Sequence, residues 1–251
     1  MRLIQAENYR EMSRIAGSII EEQLRNKKDT VLGLATGSSP LGIYEQLSNA
    51  CKERNLCMSR VIGFNLDEYK GLERTHPQSF YYYLKKNLIE KTDFMEEHLH
   101  VIDGTAEDIA SACRKYEEEI RESGGIDLQI LGLGETGHVG FNEPDGCFSK
   151  ETCCVKLEAQ TIEANSRFFE QREDVPDFAL TMGIGTIMKA RRIVMVVSGA
   201  SKAKILEKMI YGEVTPQIPA SILQFHRDVT VVADREACSE INGRVKAAEY
   251  K

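Results

Sequence analysis

Short apolar, β-branched runs alternate along this chain with longer segments whose apolar residues recur at helical spacing. Residues 31–34, 60–66, 99–102, 126–133, 193–197 and 229–233 read as strands, several of them apolar enough to be buried on both faces. Between them, residues 7–25, 39–54, 77–90, 105–122, 181–190 and 201–211 place apolar side chains three and four apart, the mark of helices with one buried face. Strands separated by helices of this length need crossover connections. The expected fold is therefore α/β, a Rossmann-like open and mostly parallel sheet with helices on both faces. No linker, composition break or internal repeat divides residues 1–251, so one domain is expected. Residues 145–180 stand apart, with Glu151, Glu158, Glu163, Glu170, Glu173 and Asp174 scattered among small polar residues and Val175-Pro176 near the end. A lid segment and a short edge hairpin plus helix both fit this stretch, and the two are compatible.

Composition adds bounds. A hydrophobic content of 42% with 28% charged residues supplies an ordinary globular core. A formal charge of -7 argues against nucleic acid as the main partner, although a local basic pocket can still hold one small phosphate. The start of the chain does not resemble a signal peptide, and no apolar run is long enough to cross a bilayer, so a cytoplasmic protein with no membrane partner is expected. The 7 cysteines form no disulfide or metal spacing, and reduced thiols fit them best. A reactive thiol at the adjacent Cys153 and Cys154 is the lesser alternative. His98 and His100 form a His-x-His pair with no third ligand nearby, which favours packing or solvent over metal.

The densest chemistry lies in Gly132-Leu133-Gly134-Glu135-Thr136-Gly137-His138-Val139-Gly140-Phe141-Asn142-Glu143-Pro144, directly after a strand. Four glycines allow tight turns and close approach to a ligand. His138 can exchange protons near neutral pH, and Glu143 follows five residues later. The plain alternative is a strand-to-helix turn whose histidine bonds its own loop.

In an open parallel sheet, ligands bind outside the carboxyl ends of the strands. The other strand ends carry suitable groups. Thr36, Gly37, Ser38 and Ser39, followed by Pro40, form a candidate anion cradle at a helix entrance, with simple helix capping as the alternative. The lysine of a P-loop is missing, so a nucleotide is not expected. Asp67 and Glu68 leave the second strand, where Asp67 can act as a general base or merely begin a solvated loop. Lys202 sits beside Gly199 at another helix entrance, and Arg167 lies in the lid candidate, where a guanidinium suits a phosphate clamp. Together these groups are the equipment for proton transfer on a small phosphorylated substrate.

Five stretches then resemble the glucosamine-6-phosphate deaminase family: 35–40, 64–69, 137–144, 164–169 and 179–186. The resemblance spans nearly the whole chain in order. It implies conversion of glucosamine 6-phosphate and water to fructose 6-phosphate and ammonia by a hydrolase-type deaminase, without metal or organic cofactor. By position, Asp67 matches the base that moves a proton from C2 to C1. His138, assisted by Glu143, matches the group that opens the sugar ring. Thr36, Gly37, Ser38, Ser39, Gly137, Arg167 and Lys202 match the substrate and phosphate site. A small phosphorylated amino sugar is thus the expected partner, with monomer and homo-oligomer both open.

Two departures from the family pattern matter. Thr136 stands where Asp or Asn is usual and cannot supply negative charge, so a less well oriented or less basic His138 and reduced or altered activity are expected. The stretch 150–156 lacks the basic pattern of members activated by N-acetylglucosamine 6-phosphate, so no such activation is expected. Two rivals share the fold. The 6-phosphogluconolactonases have a related histidine loop but continue toward Ser-Leu-Phe-Pro, and lactone hydrolysis needs no carboxylate to take a carbon-bound proton, which makes Asp67 the discriminator. Sugar-phosphate sensors of transcription regulators keep the phosphate loops and can lose the catalytic groups, all of which are present here.

Overall fold

A computed structural model describes residues 1–167 and 169–241. The chain begins with β1 (Arg2–Ala6) and α1 (Tyr9–Asn26), then β2 (Val31–Leu34), α2 (Ser38–Arg54) and β3 (Ile62–Asn65). After Leu66 it continues into β4 (Asp67–Tyr69), α3 (Phe80–Asn87), β5 (Leu99–His100), α4 (Ile109–Glu122) and β6 (Leu128–Gly132). The remainder comprises β7 (Cys153–Lys156), α5 (Ala159–Ser166), β8 (Phe178–Thr181), α6 (Ile184–Ile187), β9 (Arg192–Val197), α7 (Ala203–Tyr211) and β10 (Val229–Asp234).

Among the described residues, seven strands form one sheet in the order β1-β10-β9-β6-β2-β3-β5, with every pairing parallel. Its middle strands are apolar on both faces because helices cover both, as Leu32, Leu34, Ile130, Leu131, Val194 and Val196 illustrate with no exposed surface. Local chemistry starts the helices: Asn8 caps α1 by accepting the Glu11 N–H at 3.0 Å, and Asp108 caps α4 through the Ser111 N–H at 2.9 Å.

The expected strands and helices appear, with ends shifted by a few residues, and β1 is an addition. Only Ile4 and Ala6 of its five residues are buried, as befits an edge strand. The antiparallel pair β7-β8 with α5 between them matches the short edge hairpin plus helix weighed for 145–180, but its extension by β4 into a second sheet of order β4-β8-β7 was not expected. That sheet takes residues 178–181 into β8 and leaves only four residues, Ile184–Ile187, for the helix predicted over 181–190. The 145–180 excursion supplies β7, which pairs with β8, and α5. Residues 235–251, which the sequence reads as a terminal helix with polar ends, fall partly outside the described residues, and the described part, 235–241, is built of turns. No described helix is long and apolar enough to cross a membrane.

Strand order reverses direction between β6 and β2, so chain connections leave these neighbours on opposite sides. Such a switch point opens a crevice at the strands' carboxyl ends. Three loops leave β2, β6 and β9 there side by side, since Leu32 pairs with Leu128 and Gly132 with Val196.

Candidate active site

The loop after β6 is bent by Gly137 at φ 86° and Gly140 at φ 58°, both in the left-handed region. Gly134 serves close packing instead: a Cβ there would lie 2.1 Å from His138 Nε2, so only glycine lets the imidazole fold back over the turn. The ring is anchored on one edge. His138 Nδ1 stands 2.8 Å from Thr136 Oγ1 and 3.0 Å from Glu143 Oε2, and the Thr136 hydroxyl lies 3.0 Å from that same carboxylate oxygen. Thr136 has one proton, which Glu143 accepts. The neutral ring is therefore protonated at Nδ1, leaving the Nε2 lone pair bare.

The hydroxyl of Thr161, on α5, donates to the other Glu143 oxygen, Oε1. Burial pushes the Glu143 carboxyl upward, but the hydrogen bond and charge of His138, with the two threonine hydroxyls, outweigh it and hold the group below its ordinary range. Glu143 is thus a fixed anion behind the imidazole, so the negative charge that Thr136 lacks comes directly from Glu143. Thr136 orients the ring and the carboxylate together.

Asp67 opens β4, where the chain leaves the main sheet. Leu66 bridges both sheets, its N–H donating to Leu34 O and its carbonyl accepting the Met182 N–H, each at 2.8 Å. Asp67 faces Thr181 in register, and the Thr181 hydroxyl accepts the Phe141 N–H at 3.1 Å. A Cβ on Gly140 would come 3.3 Å from Asp67 Oδ2. The base candidate and the histidine loop therefore share one wall. Asp67 is 6% exposed and its Oδ1 has no hydrogen-bond partner among the described residues. Burial, reinforced by the charge of Glu68, pushes its carboxyl up to about 8.

The cations gather beside the same loop. Lys202 closes the short turn Ala200–Lys202 before α7, and its Nζ lies 3.8 Å from Glu135 Oε1. Burial lowers the Lys202 ammonium despite Glu135, and the positive charge of Arg167 adds to the lowering, so both cations act in one region. Asp234 at the end of β10 fixes this turn through the Ser198 hydroxyl at 2.5 Å and the Gly199 N–H at 3.2 Å. At the β2 exit, Gly37 takes φ 96° and precedes α2, whose first turn has no side-chain cap. The capping alternative for Ser38 and Ser39 is not what forms. Tyr83 supports the loop by donating to Gly37 O at 2.7 Å, and Tyr9 by donating to Ser38 O at 2.8 Å.

The proposed groups thus converge on one sheet edge. Thr161, Glu68, Thr181, Gly134 and Asp234 are additions. Gly134 carried a signal as a glycine inside the motif, and Glu68 and Thr181 lie in stretches that carry the resemblance, whereas Thr161 and Asp234 had none. His100 is spoken for elsewhere, stacked 4.5 Å from Phe64 and paired with Glu119 at 3.0 Å. Among the described residues no cluster of three His, Cys, Asp or Glu side chains is placed to hold a metal ion. A groove of about 790 Å³ beside β1 and α1, lined by Arg14, Glu22 and Arg235 among others, contains neither Asp67 nor His138.

Residues 5–232 match the family model described as glucosamine-6-phosphate isomerases/6-phosphogluconolactonase. The chain is 49% identical over 241 residues to a glucosamine-6-phosphate deaminase of Thermoanaerobacter sp. (strain X514), covering 96% of this chain and 95% of that relative. It is 47% identical over 237 residues to the glucosamine-6-phosphate deaminase of Clostridium acetobutylicum, covering 94% and 98%. The fold superposes on the solved structure of a monomeric glucosamine-6-phosphate deaminase with a TM-score of 0.93 and 40% identity, over 96% of this chain and 100% of that one. A 6-phosphogluconolactonase from Trypanosoma cruzi shares the fold at a TM-score of 0.76 and 19% identity, over 96% of this chain and 97% of that one.

Proposed function

Because this chain belongs to the glucosamine-6-phosphate isomerase/6-phosphogluconolactonase family, and matches its deaminases at 47–49% identity, we propose that it converts glucosamine 6-phosphate and water to fructose 6-phosphate and ammonia. The observation that carries this reading is the shared wall: a buried carboxylate, Asp67, lies against the glycine loop that holds His138. Lactone hydrolysis has no carbon-bound proton to transfer and so does not need a carboxylate for that step.

The chemistry proceeds from the groups in hand. The cyclic sugar must lose the proton of its anomeric hydroxyl and gain one on the ring oxygen. His138 Nε2 takes the first proton and delivers the second, with Glu143 stabilising the imidazolium in between. Ring opening exposes an aldehyde, which makes the C2 proton acidic. Asp67 removes it, giving an enolamine, and returns it to C1. The resulting ketimine at C2 adds water and expels ammonia. Atoms balance with one water consumed, so the net reaction hydrolyses a carbon–nitrogen bond while its core is an aldose–ketose isomerisation. The family description names the isomerase side of this chemistry.

Binding follows from charge. The open N-terminus of α2, with Thr36, Gly37, Ser38 and Ser39, receives the phosphate together with Lys202 and Arg167, and the backbone of Gly137 lines the sugar. Holding the sugar by its phosphate places C2 against Asp67, and such positioning can supply roughly 7–11 kcal/mol of the barrier at best. The stretch 150–156 offers no basic cluster for an acetylated amino-sugar phosphate, so activation by such an effector is not part of this reading. The direct test is release of ammonia from glucosamine 6-phosphate by the purified protein, and its loss in Asp67→Asn.

A further inference from the structure

Resting on the deaminase reading, we propose that Glu68 is a positioning residue for the base, a fixed anion that keeps the mobile proton on its neighbour Asp67. Two adjacent carboxylates are buried at the start of β4, and their surroundings differ. Glu68, 2% exposed, accepts three backbone N–H groups: Tyr69 at 2.9 Å and Phe80 at 3.0 Å on Oε1, and Tyr81 at 3.0 Å on Oε2. Phe80 and Tyr81 are the first two residues of α3, whose N-terminus favours negative charge. Burial pushes the Glu68 carboxyl above its ordinary range, while the three N–H groups and the charge of Arg74 pull it back. Asp67 has nothing comparable, and its Oδ1 lacks a partner among the described residues.

Asp67 and Glu68 are successive residues of β4 and leave opposite faces of the strand, yet two like charges on neighbouring buried residues still repel, so the one held by more hydrogen bonds keeps its charge. Three N–H donors make that one Glu68. From α2 and α4, Asp67 is faced by Tyr44 and Tyr116, and Tyr69 follows on its own strand. Burial keeps all three phenols neutral, so among the described groups the charge acting on Asp67 is that of Glu68. A base raised in this way is better matched to a carbon-bound proton than an ordinary aspartate. The N–H contacts of Glu68 also tie β4 to α3 and fix the backbone that carries Asp67.

The test compares native protein with Glu68→Gln by the pH dependence of ammonia release and by carbon-13 NMR titration of labelled carboxyls, with Asp67→Asn assigning the Asp67 signal. Glu68→Gln is expected to move the acid limb of kcat/KM and the Asp67 titration to lower pH by about one unit, and to lower kcat with KM little changed. An active Glu68→Gln protein with an unmoved limb and titration overturns the proposal and leaves the deaminase reading standing. Failure of the native protein to release ammonia overturns the deaminase reading instead, and the NMR titration still decides the role of Glu68. Should Glu68→Gln not fold, the native protein carries the test: Glu68 must lose its proton at lower pH than Asp67, and the reverse order overturns the proposal.

Discussion

Thr136 Oγ1 lies 2.8 Å from His138 Nδ1. The same hydroxyl reaches Glu143 Oε2 at 3.0 Å, so one small side chain aligns both the imidazole and its counter-ion. Thr136→Val removes both hydrogen bonds while keeping the shape. A loss on the order of 1–2 kcal/mol, about tenfold in kcat, is expected, with KM nearly unchanged and Thr136→Ser close to native. Steady-state kinetics on the three proteins check this, and a Val variant with native kcat removes the hydroxyl from the mechanism.

Asp67 accepts a proton only when ionised, and its carboxyl is pushed up to about 8 by burial and Glu68. The value of kcat/KM should therefore climb as pH rises toward 8 and level off above it. An enzyme whose acid limb lies near the ordinary aspartate range would show that Asp67 is not the group being titrated.

The same group sets a stability trend. A carboxyl whose folded value lies above its unfolded one stabilises the fold fully below the unfolded value, near 3.8, and that contribution is lost as pH rises through about 8. Asp67→Asn abolishes the dependence. The variant should be more stable than native at pH 9, by on the order of 3–6 kcal/mol, with the gap closing toward pH 4. Thermal melts across this range measure it, and parallel native and variant curves contradict it.

Lys202 is half-buried at the entrance to α7, in a region where Arg167 also acts. If the two hold the phosphate, Lys202→Met should raise KM for glucosamine 6-phosphate by about tenfold or more, since a charge-assisted contact contributes on the order of 1.5–3 kcal/mol. It should also blunt inhibition by inorganic phosphate. Unchanged KM and unchanged phosphate inhibition would assign Lys202 to its Glu135 contact alone.

Much of this architecture was legible in residue patterns because buried parallel strands and one-faced helices leave strong periodic signals. β1 escaped notice because an edge strand needs few apolar residues, and its Leu3 and Ile4 are too short a run. β4 and the place of β8 escaped because each strand is three or four residues long and takes its form from pairing with a distant segment. His138 and Glu143 were readable because their chemistry is concentrated in one loop. The contact of Gly140 with Asp67 depends on β4 pairing with β8, which no local pattern encodes. Thr161 reaches Glu143 across 18 residues, and Glu68 gains its meaning only from the N-terminus of α3.

The most direct measurement follows ammonia and fructose 6-phosphate together, in one reaction of the purified protein with glucosamine 6-phosphate, beside Asp67→Asn. Equal amounts of both products from the native protein, and neither from the variant, are predicted. Absence of ammonia from the native protein, with hydrolysis of 6-phosphogluconolactone that survives Asp67→Asn, would contradict the assignment.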